Sequence, residues 1–560
     1  MNRFRPADVL SVATLLFMLS VAGPQPASAA QASQGVAGYS VDEALRLGED
    51  MYLKGMLPSG KPMEAVVQGD LPISGSMMTC AHCHMRSGLG SLEGNVLTHP
   101  TNGAKLYAPR TSAQDLPGSG MQRQMIKFQR PAYTDELLAR AMRSGVDPAG
   151  RVMIESMPRY QLDDRDMEVL VFYLKNLSSK LSSGVTGSVI RFATIIAGEV
   201  SERDRSAMID PLKAYLNEEW NIVMPMLSQA QRDTSYRRTA LDVWELKGAP
   251  DTWNDQLEAL YRRQPVFAVL GGLASGPWAP IHRFCEKNGI PAIFPLTPLP
   301  EVSERDRSTL YFSKGYYQEG MTVAGYLSRV IDLPADKQIV QVSRGADEGR
   351  ALSQGFMDGW NKLGRSPVKD RAIPRGEALT AAFWKDLYAG NPNAVLLLWL
   401  GQDDIAGMNV PEPPAAGPAM VFVSSTLLGG KLSVLPDQMR EYTLASYPAR
   451  LPEEQGQVVS IVDMWLTAKK IPQTNPVISA KVYFLTRMLA QVLTNMRGDC
   501  YRDFFLDLFD VLEDQTATVA AFPRLSFGPG QRYASKGCYI VAVTKGPEPK
   551  IIKRSDWIVY

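Results

Sequence analysis

The sequence predicts a multidomain chain, a small all-α domain followed by a larger two-lobed α/β domain, and three observations carry that prediction. The 560 residues exceed what one domain of roughly 100–200 residues holds, so at least two units are expected. Ahead of residue 178 apolar side chains recur at helical spacing, as in Met167, Leu170, Val171, Leu174 and Leu177. From residue 189 onward short, β-branched apolar runs alternate with amphipathic stretches, the pattern of parallel strands joined by crossover helices.

Composition narrows the function classes. With 45% hydrophobic and 21% charged residues the chain lies in the soluble globular range, which excludes a polytopic membrane protein and a largely disordered one. Lys plus Arg number 59 against 58 Asp plus Glu, a net charge of +1. That leaves no global basic field to hold a phosphate backbone, and no nucleic-acid partner is expected.

Residues 1–30 read as a signal peptide. Arg3 and Arg5 precede an apolar run from Val9 to Ala22, and Ala27-Ser28-Ala29-Ala30 forms a small-residue cleavage pattern. The run is shorter than the ~20 residues needed to cross a bilayer. The mature protein is therefore expected in the periplasm, an oxidising compartment, without a membrane span.

Residues 80–84 read Cys80-Ala81-His82-Cys83-His84. In this C-x-x-C-H arrangement two thiols three apart can add to one edge of a haem while the following imidazole ligates its iron. The expectation is one covalent haem c on Cys80 and Cys83, with His84 as an axial ligand. A disulfide or redox pair and half of a zinc site are the competing readings, and the further thiolates or imidazoles of a zinc site are not evident. For the second axial position Met157, in Ser156-Met157-Pro158-Arg159-Tyr160, is the candidate, with Met153 and His99 as rivals. Two strong axial ligands leave no place for a substrate and would favour electron transfer over open-site chemistry.

With Gly48 and Tyr52 in a first helix, Met157-Pro158 and the closing Tyr173-Leu174, residues 41–178 resemble a class I cytochrome c. Residues 31–178 are accordingly assigned to a cytochrome c domain. The resemblance implies an electron carrier whose redox partners are a periplasmic dehydrogenase, of quinoprotein type, and a downstream cytochrome or oxidase. Residues 53–79 depart from the pattern as a longer insertion than usual.

The Ser/Gly-rich stretch 179–188 reads as a flexible linker. Strands are expected at Ile190–Ile196, Val266–Leu270, Ala292–Phe294, Gln338–Val342, Ala394–Trp399 and Met420–Ser424, with helices at Gly320–Ile331, Gly349–Lys362 and Ala381–Tyr388. The run Val266-Phe267-Ala268-Val269-Leu270-Gly271-Gly272 with Ser275, the turn Pro295-Leu296-Thr297-Pro298, and Ile339-Val340-Gln341-Val342 followed by Asp347-Glu348-Gly349-Arg350 resemble type I periplasmic solute-binding proteins. These are the branched-chain amino acid and amide receptors of ABC transporters, and residues 189–560 are assigned to a domain of this kind. The resemblance implies a small-molecule ligand such as an amino acid or amide between the lobes, contacted by Ser275 and Thr297. Each hydroxyl could equally cap its own turn. Gln402, Asp403 and Asp404 are offered for the ligand's amine.

Cys500 and Cys538 are expected to pair in the oxidising compartment, and Cys285 and His282 are read as structural. No catalytic residue is assigned and no enzyme activity is expected, since no nucleophile, metal cluster or phosphate loop stands out. The leading expectation is thus a mono-haem electron carrier with a solute-binding-like domain for partner docking or substrate sensing. The alternative is an ABC-type solute receptor carrying a haem redox or gas sensor.

Overall fold

The computed structural model describes residues 35–560 apart from 94–95, 111–128, 227–235, 304, 332, 335–336, 366, 409–416, 455, 513–520, 529 and 560. The expected signal peptide, residues 1–30, lies outside the described residues. Among these residues no helix is long and apolar enough to cross a membrane.

The amino-terminal module is built on helices α1 (Val41–Lys54), the short α2 (Cys80–His84), α3 (Asp135–Ser144) and α4 (Asp164–Asn176). Strands β1 (Glu64–Val67), β2 (Leu71–Ser74) and β3 (Arg159–Tyr160) form an antiparallel sheet in the order β2-β1-β3. The all-α expectation for this module is therefore corrected: the insertion at 53–79 folds back as a hairpin and takes Arg159–Tyr160 as its third strand. α1 starts where the Ser40 hydroxyl accepts from the Glu43 N–H at 3.3 Å, and ends at Gly55 with φ 64°. Gly48 lets α1 cross α4 closely, since a Cβ there would collide with Tyr173. Met51, Tyr52, Met63, Leu138, Tyr160, Leu170 and Leu174 fill the core between helices and sheet.

The first lobe alternates β4 (Val189–Ala197), α5 (Glu202–Ala214), β5 (Arg238–Leu246), α6 (Trp253–Arg263), β6 (Ala268–Leu270), β7 (Leu273–Ala274), α7 (Ala279–Lys287), β8 (Ala292–Ile293) and β9 (Thr309–Leu310). Its sheet is parallel, in the order β9-β8-β6-β4-β5, with β7 also on β4. The second lobe contains α8 (Gly315–Gly325), β10 (Ile339–Arg344), α9 (Asp347–Lys362), β11 (Lys369–Ile373), α10 (Ala381–Ala389), β12 (Val395–Trp399), α11 (Gln402–Ala406), β13 (Met420–Ser424) and β14 (Thr443–Tyr447). The chain then returns to the first lobe through α12 (Gly456–Ala468), α13 (Pro476–Met496) and α14 (Arg502–Asp510). It finishes in the second lobe with β15 (Gly537–Val543) and β16 (Ile551–Lys553).

The second sheet runs β11-β10-β12-β13-β14-β15-β16, parallel up to β14 and antiparallel beyond it. Both sheets are covered on two faces, which explains why β12 reads as an unbroken apolar run with all five residues buried. In the first lobe one face packs Phe192, Met208, Leu485 and Leu489, and the other packs Trp244, Trp253, Trp278 and Phe284.

The stretch 179–188, expected as a flexible linker, is held in place. Ser182 N–H donates to the Cys500 carbonyl at 3.2 Å, the Ser182 hydroxyl accepts from the Arg502 N–H at 2.9 Å, and Arg237 Nε donates to the Thr186 carbonyl at 2.9 Å. Its small residues permit close approach to the first lobe rather than freedom: a Cβ at Gly184 would meet the backbone of Val266 and Phe267.

Candidate functional site

Two places bring chemistry-bearing residues together. The first surrounds α2. The Cys80 thiol lies 3.8 Å from the Tyr160 hydroxyl, which donates to the Met78 carbonyl at 3.2 Å. Burial pushes the Cys80 thiol up to about 11. His84 Nδ1 donates to the His99 carbonyl at 2.7 Å, and burial lowers the His84 imidazole below its ordinary value. His99 Nδ1 is 3.2 Å from Arg110 Nη1, and burial, then the Arg110 charge, lower His99 to about 4. His82 accepts the Thr79 N–H at 3.2 Å through Nδ1. Met157 sits half-buried in the turn before β3, its carbonyl accepting from Arg159 at 2.6 Å. Of the segment 157–160 it is Tyr160 that lies beside α2.

The second place lies between the lobes. Counted from the lobe's own first strand, and leaving aside the two-residue β7 that pairs separately on β4, the first five strands of each sheet lie in the order 2-1-3-4-5. The direction of chain progress therefore reverses between β4 and β6 in one lobe and between β10 and β12 in the other. In such sheets the carboxyl ends of the two strands flanking the reversal leave a crevice suited to ligands. Ser275 stands at the first of these, exposed, with its N–H donating to the Ala197 carbonyl at 3.0 Å. Its hydroxyl lies against Gly198, whose φ of 70° and missing Cβ leave room for it. Thr297 is half-buried beyond β8, and its hydroxyl accepts the Leu299 N–H at 3.0 Å, which is the turn-capping role.

At the second reversal Arg344, ending β10, forms a two-pronged ion pair with Asp404 in α11, with Nε 2.9 Å from Oδ2. Asp404 is thus committed to Arg344, while Gln402 and Asp403 beside it are exposed. Under the ends of β13 and β14 the buried Glu319 carboxylate accepts from Ser424 at 2.8 Å and Ser446 at 2.6 Å. Burial raises Glu319 to about 7 against the pull of the Ser446, Thr426 and Ser424 hydrogen bonds.

Three crossings join the lobes. Tyr311 N–H donates to the Arg532 carbonyl at 2.8 Å and Ser535 N–H to the Phe312 carbonyl at 2.6 Å, so the first and third crossings run side by side. The second meets them where Arg450 N–H donates to the Ala521 carbonyl at 3.2 Å. Against these crossings lies an aromatic cluster that sequence reasoning missed. Phe294, just past β8, holds φ 54°, a left-handed conformation costing about 1–3 kcal/mol for a residue with a side chain. Its ring stacks on Phe312 at 4.6 Å and meets Phe484 at 5.6 Å. Lys481 of α13 places its ammonium 5.7 Å from the Phe312 ring centroid and 5.5 Å from that of Phe522. The one signal in the sequence was a lysine inside the apolar run Val477-Ile478-Ser479-Ala480-Lys481-Val482.

The expected Cys500–Cys538 disulfide is corrected, since both are free and buried. Cys500 follows α13 on the first lobe with its sulfur 3.5 Å from Arg237 Nη1, whereas Cys538 on β15 of the second lobe lies 4.0 Å from Gln318 Nε2. The third crossing separates them. Cys285 is buried as expected. His282 bridges Asp306 and the Tyr311 hydroxyl at 2.9 Å each, a structural tie to the first crossing.

A family profile described as periplasmic binding protein matches residues 240–546. No curated protein matches the chain. Among solved structures, a "possible leucine/isoleucine/valine-binding protein" of Rhodopirellula baltica is 14% identical, covers 66% of this chain and 97% of its own, and has a TM-score of 0.47. An ABC transporter substrate-binding protein of Sphaerobacter thermophilus is 13% identical, covers 66% and 98%, and scores 0.47. One of Aeropyrum pernix is 10% identical, covers 67% and 96%, and scores 0.49.

These findings correct the cofactor expectation. The matched family is one of solute binders, and among the described residues no group of three or more His, Cys, Asp or Glu side chains is placed to hold a metal ion. One covalent haem c on Cys80 and Cys83, ligated by His84 and Met157, is therefore not retained. The electron-carrier reading that depended on it has no support in the comparisons.

Proposed function

Because the chain belongs to the periplasmic binding protein family, we propose that it captures a small organic solute between its two lobes and presents it to an ABC-type importer in the periplasm. The observation that carries this reading is the pairing of two sheets of the same 2-1-3-4-5 order, each with its reversal point at a strand carboxyl end, across three hinge crossings. Ser275 lines the first-lobe side of the crevice and Arg344 the second. Thr297 contributes the shape of its turn, its hydroxyl being engaged with Leu299.

Residues 31–178 act as a docking module. The crossing of α1 and α4 at Gly48 and Tyr173 supports a cytochrome-c-type helical framework for it. Its seat on the first lobe leaves the solute crevice to residues 189–560.

The test is a thermal-shift screen of residues 31–560 against amino acids, amides and aliphatic and aromatic carboxylates. A true ligand at one hundred times its Kd adds about 2.7 kcal/mol of stability, so one solute class should raise the melting temperature in a concentration-dependent way. A flat response to every class would overturn the reading.

A further inference from the structure

Helix α14 carries its three acids on one face. Asp503, Asp507 and Asp510 follow one another at spacings of four and three, which lines them along one side of the helix. Three arginines from three other parts of the chain meet them. Arg86 of the amino-terminal module lies 3.5 Å from Asp503. Arg307, in the segment that leads into β9 and the first crossing, lies 3.3 Å from Asp503 and 3.5 Å from Asp507. Arg532, on the third crossing, pairs with Asp510, which also accepts the Gly530 N–H.

The resulting ladder is continuous from the module to the hinge. At one end Asp507 accepts the Ser87 N–H at 2.8 Å while its other oxygen faces Arg307. Arg532 Nη1 then donates to the Arg307 carbonyl at 3.3 Å. At the far end the Arg532 carbonyl accepts the Tyr311 N–H at 2.8 Å, and the Ala534 N–H donates to the Tyr311 carbonyl at 3.1 Å, where the first and third crossings run side by side. Asp507 and Arg532 are both buried, so solvent screens these links far less than it would at the surface.

The ladder is also incompletely satisfied. Among the described residues Arg307 Nε and Arg532 Nε are buried without a hydrogen-bond partner, a costly state for a charged donor. Both belong to the side chains that join the crossings to α14. Closing two lobes about a hinge bends the segments that cross between them, and these two guanidiniums hold the spare donors that a changed crossing can engage. A network with unspent donors at its moving end has a second arrangement within reach, which is what coupling between distant sites requires.

We propose that the amino-terminal module braces the hinge: its seat on α14 and the bending of the first and third crossings are coupled through the Asp503-Asp507-Asp510 ladder. Release of the module frees the crossings, and bending of the crossings loosens the module, because a coupling free energy acts equally in both directions. This goes beyond the solute-binding reading, and its test needs no solute, so either can fail without the other.

The experiment is hydrogen–deuterium exchange of residues 31–560, read on peptides covering 84–90, 308–314, 530–536 and β12. Arg532→Gln breaks the ladder at the hinge without touching the module, and it should speed exchange at 84–90 at least threefold. Asp510→Asn should act in the same direction, and Arg532→Lys, which keeps a cation for Asp510, should act less. In the reverse direction Asp507→Ala should speed exchange at 530–536 at least threefold. In every variant β12, in the second lobe, should exchange as in wild type. An Arg532→Gln protein that exchanges faster at 530–536 alone, or an Asp507→Ala protein that exchanges faster at 84–90 alone, would overturn the proposal. Acceleration spread evenly over the chain, β12 included, would overturn it as well, since that is a loss of global stability and not a coupling.

Discussion

The Asp507 carboxylate accepts the backbone N–H of Ser87 at 2.8 Å, joining residues 420 apart in sequence. Asp507 belongs to α14 of the first lobe and Ser87 follows α2, so the bond anchors the amino-terminal module next to Cys80–His84. Arg307 lies 3.5 Å from the other carboxylate oxygen, Arg86 reaches Asp503 at 3.5 Å and Lys105 reaches Asp499 at 3.4 Å. Leu89, 3% exposed, packs into the first-lobe core. The module is thus seated by one buried charge-assisted bond, an apolar plug and a rim of ion pairs.

Removing that anchor should loosen the seat. Asp507→Ala leaves the Ser87 N–H and the Arg307 guanidinium short of a partner, a loss on the order of 1–3 kcal/mol. Asp507→Asn, which keeps an acceptor for Ser87, should recover part of it. Urea unfolding measures the loss, and limited proteolysis should cut Asp507→Ala near residues 179–188 faster than wild type. Identical cleavage rates would show that the ion pairs at the rim suffice.

Glu319 should make the second lobe sensitive to pH. Its folded value, about 7, lies above its ordinary 4.5, so the folded state holds the proton more tightly than the unfolded one. The stability this contributes is fully present below pH 4.5 and is lost as pH rises through about 7. Across that window wild type should lose on the order of 3 kcal/mol relative to Glu319→Gln. Urea midpoints for both proteins at pH 4.5, 6 and 8 test this, and parallel profiles would contradict it.

Cys500 and Cys538 should both react with iodoacetamide in denaturant without reductant, because they occupy different lobes and are free. Peptide mass mapping of the unreduced protein reads this directly. A linked Cys500–Cys538 peptide is the opposite outcome.

Much of the α/β part was legible because its strands are buried on both faces and announce themselves as apolar runs. Met420–Ser424 was read with its observed bounds, and Ala394–Trp399 and Ile190–Ile196 within one residue at each end. β5 was missed because Arg238–Leu246 carries Arg238, Asp242 and Glu245 on the outermost strand of its sheet, where charge is tolerated. The hairpin at 64–74 was missed because four-residue strands give almost no periodicity. Ser275 was offered through the family resemblance, after the Gly-Gly turn that closes an apolar run, and it follows the short strand Leu273–Ala274. Lys481, Phe312 and Phe522 were not, because they meet only when the second crossing carries α13 back to the first lobe. Local pattern carries no trace of such a meeting. The linker was misread for the same reason: Ser and Gly that look flexible in sequence are the residues that allow Ser182 and Gly184 to lie close against the first lobe.

The central claim, a solute held between two lobes, is tested most directly by hydrogen–deuterium exchange of residues 31–560 with and without the solute that gives the largest thermal shift. The account predicts slower exchange at 271–275 and 294–299 on the first lobe, at 344–347 and 402–406 on the second, and along the crossings at 311–314 and 530–536. Protection confined to residues 36–178, or to one lobe alone, would contradict it.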